Sequence, residues 1–162
     1  MPFIHTDDDY KSIGVREDAN GKRWIYAFAH GDLTAGTPYV AYEGYDGSGD
    51  FGWKTMALVD TTLASTTAAT RVSHYVGVPD EAVSSGTWGW LQIGGKCLSV
   101  TTASITGTVG CMFRWKDASV ANAGAGVSNS GFCADFAVCI TSSSASTAHD
   151  MFLLGRPVCG IT

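Results

Sequence analysis

The chain of 162 residues carries 15 acidic and 10 basic side chains, a formal net charge of -5, and its Lys and Arg are scattered singly. No basic patch is available to hold phosphate, which excludes nucleic acid as a partner. Gly, Ala, Ser and Thr supply 71 residues and charged residues only 15%, a composition that disfavours long helices and suits an all-β chain with Thr, Val and aromatics on pleated surfaces.

The opening MPFIHTDDDY has neither a basic n-region nor an apolar stretch, and no run approaches eighteen apolar residues, so neither a standard secretion signal nor a membrane helix is expected. With Asp7, Asp8 and Asp9 followed by KSIGVREDANGKR, residues 1–23 read as a charged, extended N-terminal arm with a turn at Asn20-Gly21. A single β-rich domain then spans 24–162. Its first part, WIYAFAHGDLTAGTPYVAYEGY, predicts a strand, turns at Gly31-Asp32 and Ala35-Gly36, and a second strand after Pro38.

Residues 44–53, GYDGSGDFGW, hold four glycines and predict an exposed loop. KTMALVDTTLAS continues as strand and turn, TTAATR follows, and VSHYVGVPDE is the next strand. Asp80 to Val83 leave room for one helical turn, closed by Ser84, Ser85 and Gly86. In TWGWLQIGGKCLSV, Trp88, Trp90 and Gln92 alternate with Gly89, Leu91 and Ile93, the period of a strand.

SITGTVGCMFRWKD, FCADFAVCITSS and FLLGRPVCGIT complete the strands, separated by a loop over 118–131 and a second loop, SSASTAHD. Short strands with turns between them predict an antiparallel β-sandwich or β-barrel. SHYVGVPDEA and MFLLGRPVCG echo one another, which predicts two equivalent strands in one sheet.

Chemistry finds little support. The cysteines Cys97, Cys111, Cys133, Cys139 and Cys159 form no CxxC pair, so they read as buried reduced thiols, with room for one disulfide but no zinc site or disulfide scaffold. His30 before Gly31-Asp32, or His149 before Asp150, can be drawn with Cys111 or Cys133 as a nucleophilic site, but surface turn positions explain both histidines more simply. Asp7 to Asp9, or Asp46 and Asp50, offer oxygen ligands for Ca²⁺ without the later Glu that an EF-hand needs. TGTVG and GAGVSNSG lack the Lys-Ser/Thr pair of a phosphate loop. No catalytic residue, metal or cofactor is expected. Trp53, Trp88 or Trp115 could serve a carbohydrate-binding module; Trp88 and Trp90 share a strand face, where core packing is the preferred role for at least one of them.

Tyr75 to Cys97, YVGVPDEAVSSGTWGWLQIGGKC, together with FLLGRPVCGI, resembles the head decoration proteins of tailed bacteriophages. Val76-Gly77, Ala82-Val83, Gly86, Trp88 to Ile93 and Gly95 carry the likeness, and GDLTAGTPYV resembles a strand start common in that group. It covers residues 28–42 and 72–162. The resemblance implies a non-enzymatic capsid cement protein, made in the host cytoplasm and seated on the virion's outer surface. It further implies the major capsid protein as partner and a homo-oligomer, trimer or dimer, that holds capsomers together. A tail or neck component is the alternative within the virion. The acidic arm and the aromatic loop have no counterpart in the group, so the partner contact is expected at His5, Asp7, Asp8, Asp9, Tyr10, Tyr42, Tyr45, Phe51 and Trp53.

Overall fold

The computed structural model describes residues 14–45, 51–55, 74–116, 119–122 and 134–156, and within them the chain is all-β, with ten strands and no helix. The strands are β1 (Arg16–Glu17), β2 (Arg23–Phe28), β3 (Tyr39–Tyr45), β4 (Phe51–Thr55), β5 (His74–Pro79), β6 (Trp88–Gly107), β7 (Met112–Lys116), β8 (Ser119–Asn122), β9 (Ala134–Cys139) and β10 (Ser143–Leu154). They follow the order β1-β2-β4-β3-β5-β6-β10-β9-β7-β8, and β6 also pairs back onto β2. That extra pairing, from Arg23↔Gly94 to Phe28↔Trp88, closes β2-β4-β3-β5-β6 into a barrel. Closure leaves those strands no free edge.

The barrel interior follows from alternation. In β2, Ile25 and Ala27 point inward, continued by Ala29; in β6 the inward residues are Leu91 and Ile93, and Leu33, Tyr39, Ala41 and Trp53 complete the cluster. A five-stranded barrel has little internal space, so bulky rings need small residues opposite them. Gly77 meets that need, since a Cβ there would lie 2.8 Å from the Cβ of Leu91. Ile25, Leu91 and Ile93 are at most 1% exposed, and each such burial stabilises the fold by about 1.5–3 kcal/mol.

At Gly94-Gly95 the long strand β6 leaves the barrel, with Gly95 at φ +87°, a left-handed conformation that glycine adopts without strain. Beyond that corner β6 pairs with β10 from Gly94↔Leu154 to Gly107↔Ser143. The outward residues of β3 and β5, Val40, Val76 and Val78, form a second core with Cys97, Val100, Phe113, Phe136, Cys139, Met151 and Leu153 of this extension. The sheet therefore serves as barrel wall at one end and as a covering layer at the other.

Several expectations need correction. Not every pairing is antiparallel: β2 and β4 run parallel, at Ala27↔Trp53 and Phe28↔Lys54, because the β3–β4 hairpin returns beside β2. Much of the expected 44–53 loop is strand, with Tyr45 paired to Phe51; residues 46–50 lie outside the described part. SSASTAHD belongs to β10 rather than to a loop. Asp80 to Val83 make no helical turn, because the Val83 and Leu33 backbones exchange hydrogen bonds of 3.0 and 2.8 Å. Within the expected arm, Arg16 and Glu17 pair with Trp24 and Arg23, through a turn tied by the Asp18 carboxylate; residues 1–13 lie outside the described part. The strands in the described parts of the two echoing segments do share the sheet, with β5 and β10 flanking β6.

Candidate interaction surface

The expected contact residues separate into three groups. His5, Asp7, Asp8, Asp9 and Tyr10 lie outside the described residues. Tyr42 is half-buried on β3, and Tyr45 and Phe51 are backbone partners in the β3–β4 ladder. Trp53 departs from expectation: it is 2% exposed and its ring meets Tyr75 edge-on at 5.1 Å. Alternation turns Trp53 into the barrel, so it holds the hairpin in place rather than facing a partner.

Trp88 and Trp90 are half-buried among neighbouring rings. Trp88 and Trp90 do share the outer face of β6, but Tyr26 stacks on Trp88 at 5.7 Å and lies 5.0 Å from Trp90. Phe28 meets Trp88 edge-on at 5.7 Å. Beside Phe28 sits Lys54, whose Nζ is 5.3 Å from the ring centroid and has no hydrogen-bond partner among the described residues. Burial holds this amine below its usual range, since the charged form is the one that loses hydration.

A surface that sequence reasoning missed lies on the opposite layer. Lys96↔Phe152, Phe152↔Val138 and Val138↔Met112 are successive cross-strand pairs, so their side chains form one row across β6, β10, β9 and β7. Phe152 is 49% exposed between fully buried Met151 and Leu153. Leu98, two residues beyond Lys96 on the same face, is 57% exposed. Ser99, with φ +53°, breaks the alternation there, and its amide donates to Asp150 Oδ1 at 3.0 Å. Val138 and Met112 are half-buried. Scattered exposed apolar residues are ordinary; here Phe152, Val138 and Met112 are contiguous across three strands.

Catalytic groupings dissolve in the geometry. His149 and Asp150 are adjacent strand residues and point apart. The imidazole, 2% exposed, lies 2.7 Å from Ser143 Oγ through Nδ1 and 3.1 Å from the Ser146 carbonyl through Nε2. Asp150 instead accepts from the Ser99 amide and, at 3.2 Å, the Thr141 hydroxyl. Cys97, Cys111 and Cys139 are reduced, and burial pushes the Cys97 thiol up to about 11. No group of three or more His, Cys, Asp or Glu among the described residues could hold a metal ion.

No protein-family model matches the chain, and no curated protein matches it. Among solved structures the chain is similar to the head fiber gp8.5 N base of bacteriophage phi29, at 10% identity and a TM-score of 0.43, over 83% of this chain and 96% of that one.

Proposed function

We propose that the chain is a non-enzymatic structural protein of a tailed-phage virion, seated on the outer capsid surface as a head decoration protein. The row Met112, Val138, Phe152 with Leu98 carries this reading as the contact face for the major capsid protein. An apolar row on a hydrogen-bonded sheet can be buried against a partner without desolvating many ions. The resemblance of residues 28–42 and 72–162 to head decoration proteins supplies the address.

In this reading His5, Asp7 to Asp9, Tyr10, Tyr42, Tyr45 and Phe51 make a second contact, with a neighbouring capsomer or another copy. Two modest contacts on one particle act together, since docking at the first raises the effective concentration at the second. Labelled antibody against the chain, imaged on purified particles, tests the address. Label distributed over the head is expected; label confined to tail or neck, or particles without the chain, contradicts the proposal.

A further inference from the structure

We propose that Cys111 and Cys139 form a dithiol site that closes into an intrachain disulfide when the protein meets a small-molecule disulfide. The turn after β6 builds the site. The Cys111 amide donates to the Thr108 carbonyl at 2.9 Å, with Gly110 at φ +86°, the left-handed third position of a type II turn. The Gly110 amide then donates to the Cys139 carbonyl, and the Cys139 amide to the Cys111 carbonyl, each at 2.9 Å. Two residues of one strand thus face one of the other, a β-bulge led by glycine.

That bulge brings the two side chains to the same side of the sheet. Cys111 packs against the core cluster that contains Cys139, and the thiols are in hydrogen-bond contact. Cys111 and Cys139 follow the pair Met112↔Val138 in register, and antiparallel partners have Cα atoms about 4.5–5.5 Å apart, inside the roughly 4.4–6.8 Å that a disulfide spans. Backbone groups orient the sulfurs: the Thr108 amide reaches Cys111 Sγ at 3.4 Å, and Cys139 Sγ reaches the Thr141 carbonyl at 3.2 Å. Behind Cys139, Gly107 leaves room for the sulfur, since a Cβ there would lie 3.0 Å from it.

Cys97 is excluded by register. Cys97 and Cys139 both pair with Met151, from opposite sides, which separates them by two strand spacings, about 10 Å. A disulfide cannot cross that distance.

Exposure sets the order of events. Cys111 is half-buried and Cys139 is 1% exposed. With glutathione disulfide as oxidant, the Cys111 thiolate attacks one sulfur, the reagent's S–S bond breaks and one glutathione thiolate leaves. Cys139, after losing its proton, attacks Cys111 Sγ of the mixed disulfide and expels the second glutathione thiolate. Two protein thiols are oxidised to one disulfide, and one glutathione disulfide is reduced to two glutathiones, which take up the protons. Burial raises the Cys139 thiol above its ordinary range, so it reacts second, once the mixed disulfide on Cys111 lies beside it and the step is intramolecular. This chemistry does not depend on the virion reading, which adds only the occasion, passage from a reducing cytosol to the exterior.

The test uses the full-length reduced protein, folded at pH 8 and incubated with glutathione disulfide. Two of the five thiols should disappear, with a mass loss of about 2 Da, a Cys111–Cys139 peptide on mapping, and a Tm rise of about 5–10 °C from the cross-linked unfolded state. Cys111→Ser, at a half-exposed position, should keep the fold and abolish both the bridge and the Tm rise. Retention of all five thiols after a day overturns the proposal. So does a stable glutathione adduct on Cys111, or a bridge that uses Cys97, Cys133 or Cys159.

Discussion

The guanidinium of Arg23 donates to the Leu154 carbonyl at 2.7 Å across 131 positions of sequence, which ties the first barrel strand to the last strand of the covering layer. Gly94 and Gly155 make the slot: a Cβ on Gly94 would lie 2.7 Å from Arg23 Nε, and one on Gly155 would meet the guanidinium itself. The corner where β6 leaves the barrel is fastened there. Arg23→Ala should lower stability by about 1–3 kcal/mol, the range for hydrogen bonds to charged groups plus lost packing. Urea unfolding checks this, and a change under 0.5 kcal/mol would remove the fastening role.

Gly77→Ala tests the barrel interior. The added methyl meets the Cβ and Cδ1 of Leu91 at 2.8 and 3.4 Å and Cγ2 of Ile93 at 3.3 Å, and a Cβ cannot swing away as a side-chain tip can. A loss of about 1–3 kcal/mol is expected from overpacking, read as a lower urea midpoint at unchanged slope. Wild-type stability in this variant would mean the barrel is looser than its geometry indicates.

Asp18 governs the first hairpin. Burial raises its carboxyl, but the amides of Lys22 and Asn20 and the Trp24 indole donate to it and leave it below 3.8. A depressed carboxylate contributes stability that is full above its unfolded value and is lost as pH falls through the folded one. Asp18→Asn should therefore be less stable than wild type at pH 7, with the gap narrowing as pH falls below 3.8. A gap that stays constant down to pH 2 would show that the charge contributes nothing.

Lys54 has the opposite sign. Its amine is held below 10.5 by burial, so the unfolded chain binds the proton more readily and stability rises as pH climbs through the folded value towards the unfolded one. Lys54→Met should raise Tm at pH 7, with a benefit that shrinks as pH approaches 10.5. A Tm lowered by this substitution would mean the ammonium's contact with the Phe28 ring outweighs its desolvation.

Strand content was legible because Trp88, Trp90 and Gln92 alternate with Gly89, Leu91 and Ile93, and the two sets do face opposite ways. Barrel closure was not. The β2–β6 and parallel β2–β4 pairings depend on which distant strands meet, and no local pattern encodes that choice. SSASTAHD reads as a loop because small polar residues dominate it, while His149 and its ring contact with Phe113 at 5.2 Å reveal a strand packed on the core. The exposed row stayed hidden because Phe152 lies within Phe152-Leu153-Leu154, where apolar residues on both faces erase the alternation that would show which one points out. Trp53 misled in the other direction: four glycines between residues 44 and 53 signal a loop, yet the tryptophan at its end turns into the barrel.

The most direct test of the proposed contact is cosedimentation of the purified chain with phage heads lacking it, comparing wild type with a Leu98→Ser/Phe152→Ser double variant. Both side chains are about half exposed, so the variant should keep the wild-type circular dichroism and Tm within the small range of surface substitutions. Its affinity for the heads should fall at least about tenfold, the loss expected when apolar anchors at an interface are removed. A folded double variant that binds with wild-type affinity, or a wild-type chain that does not bind heads, would contradict the account.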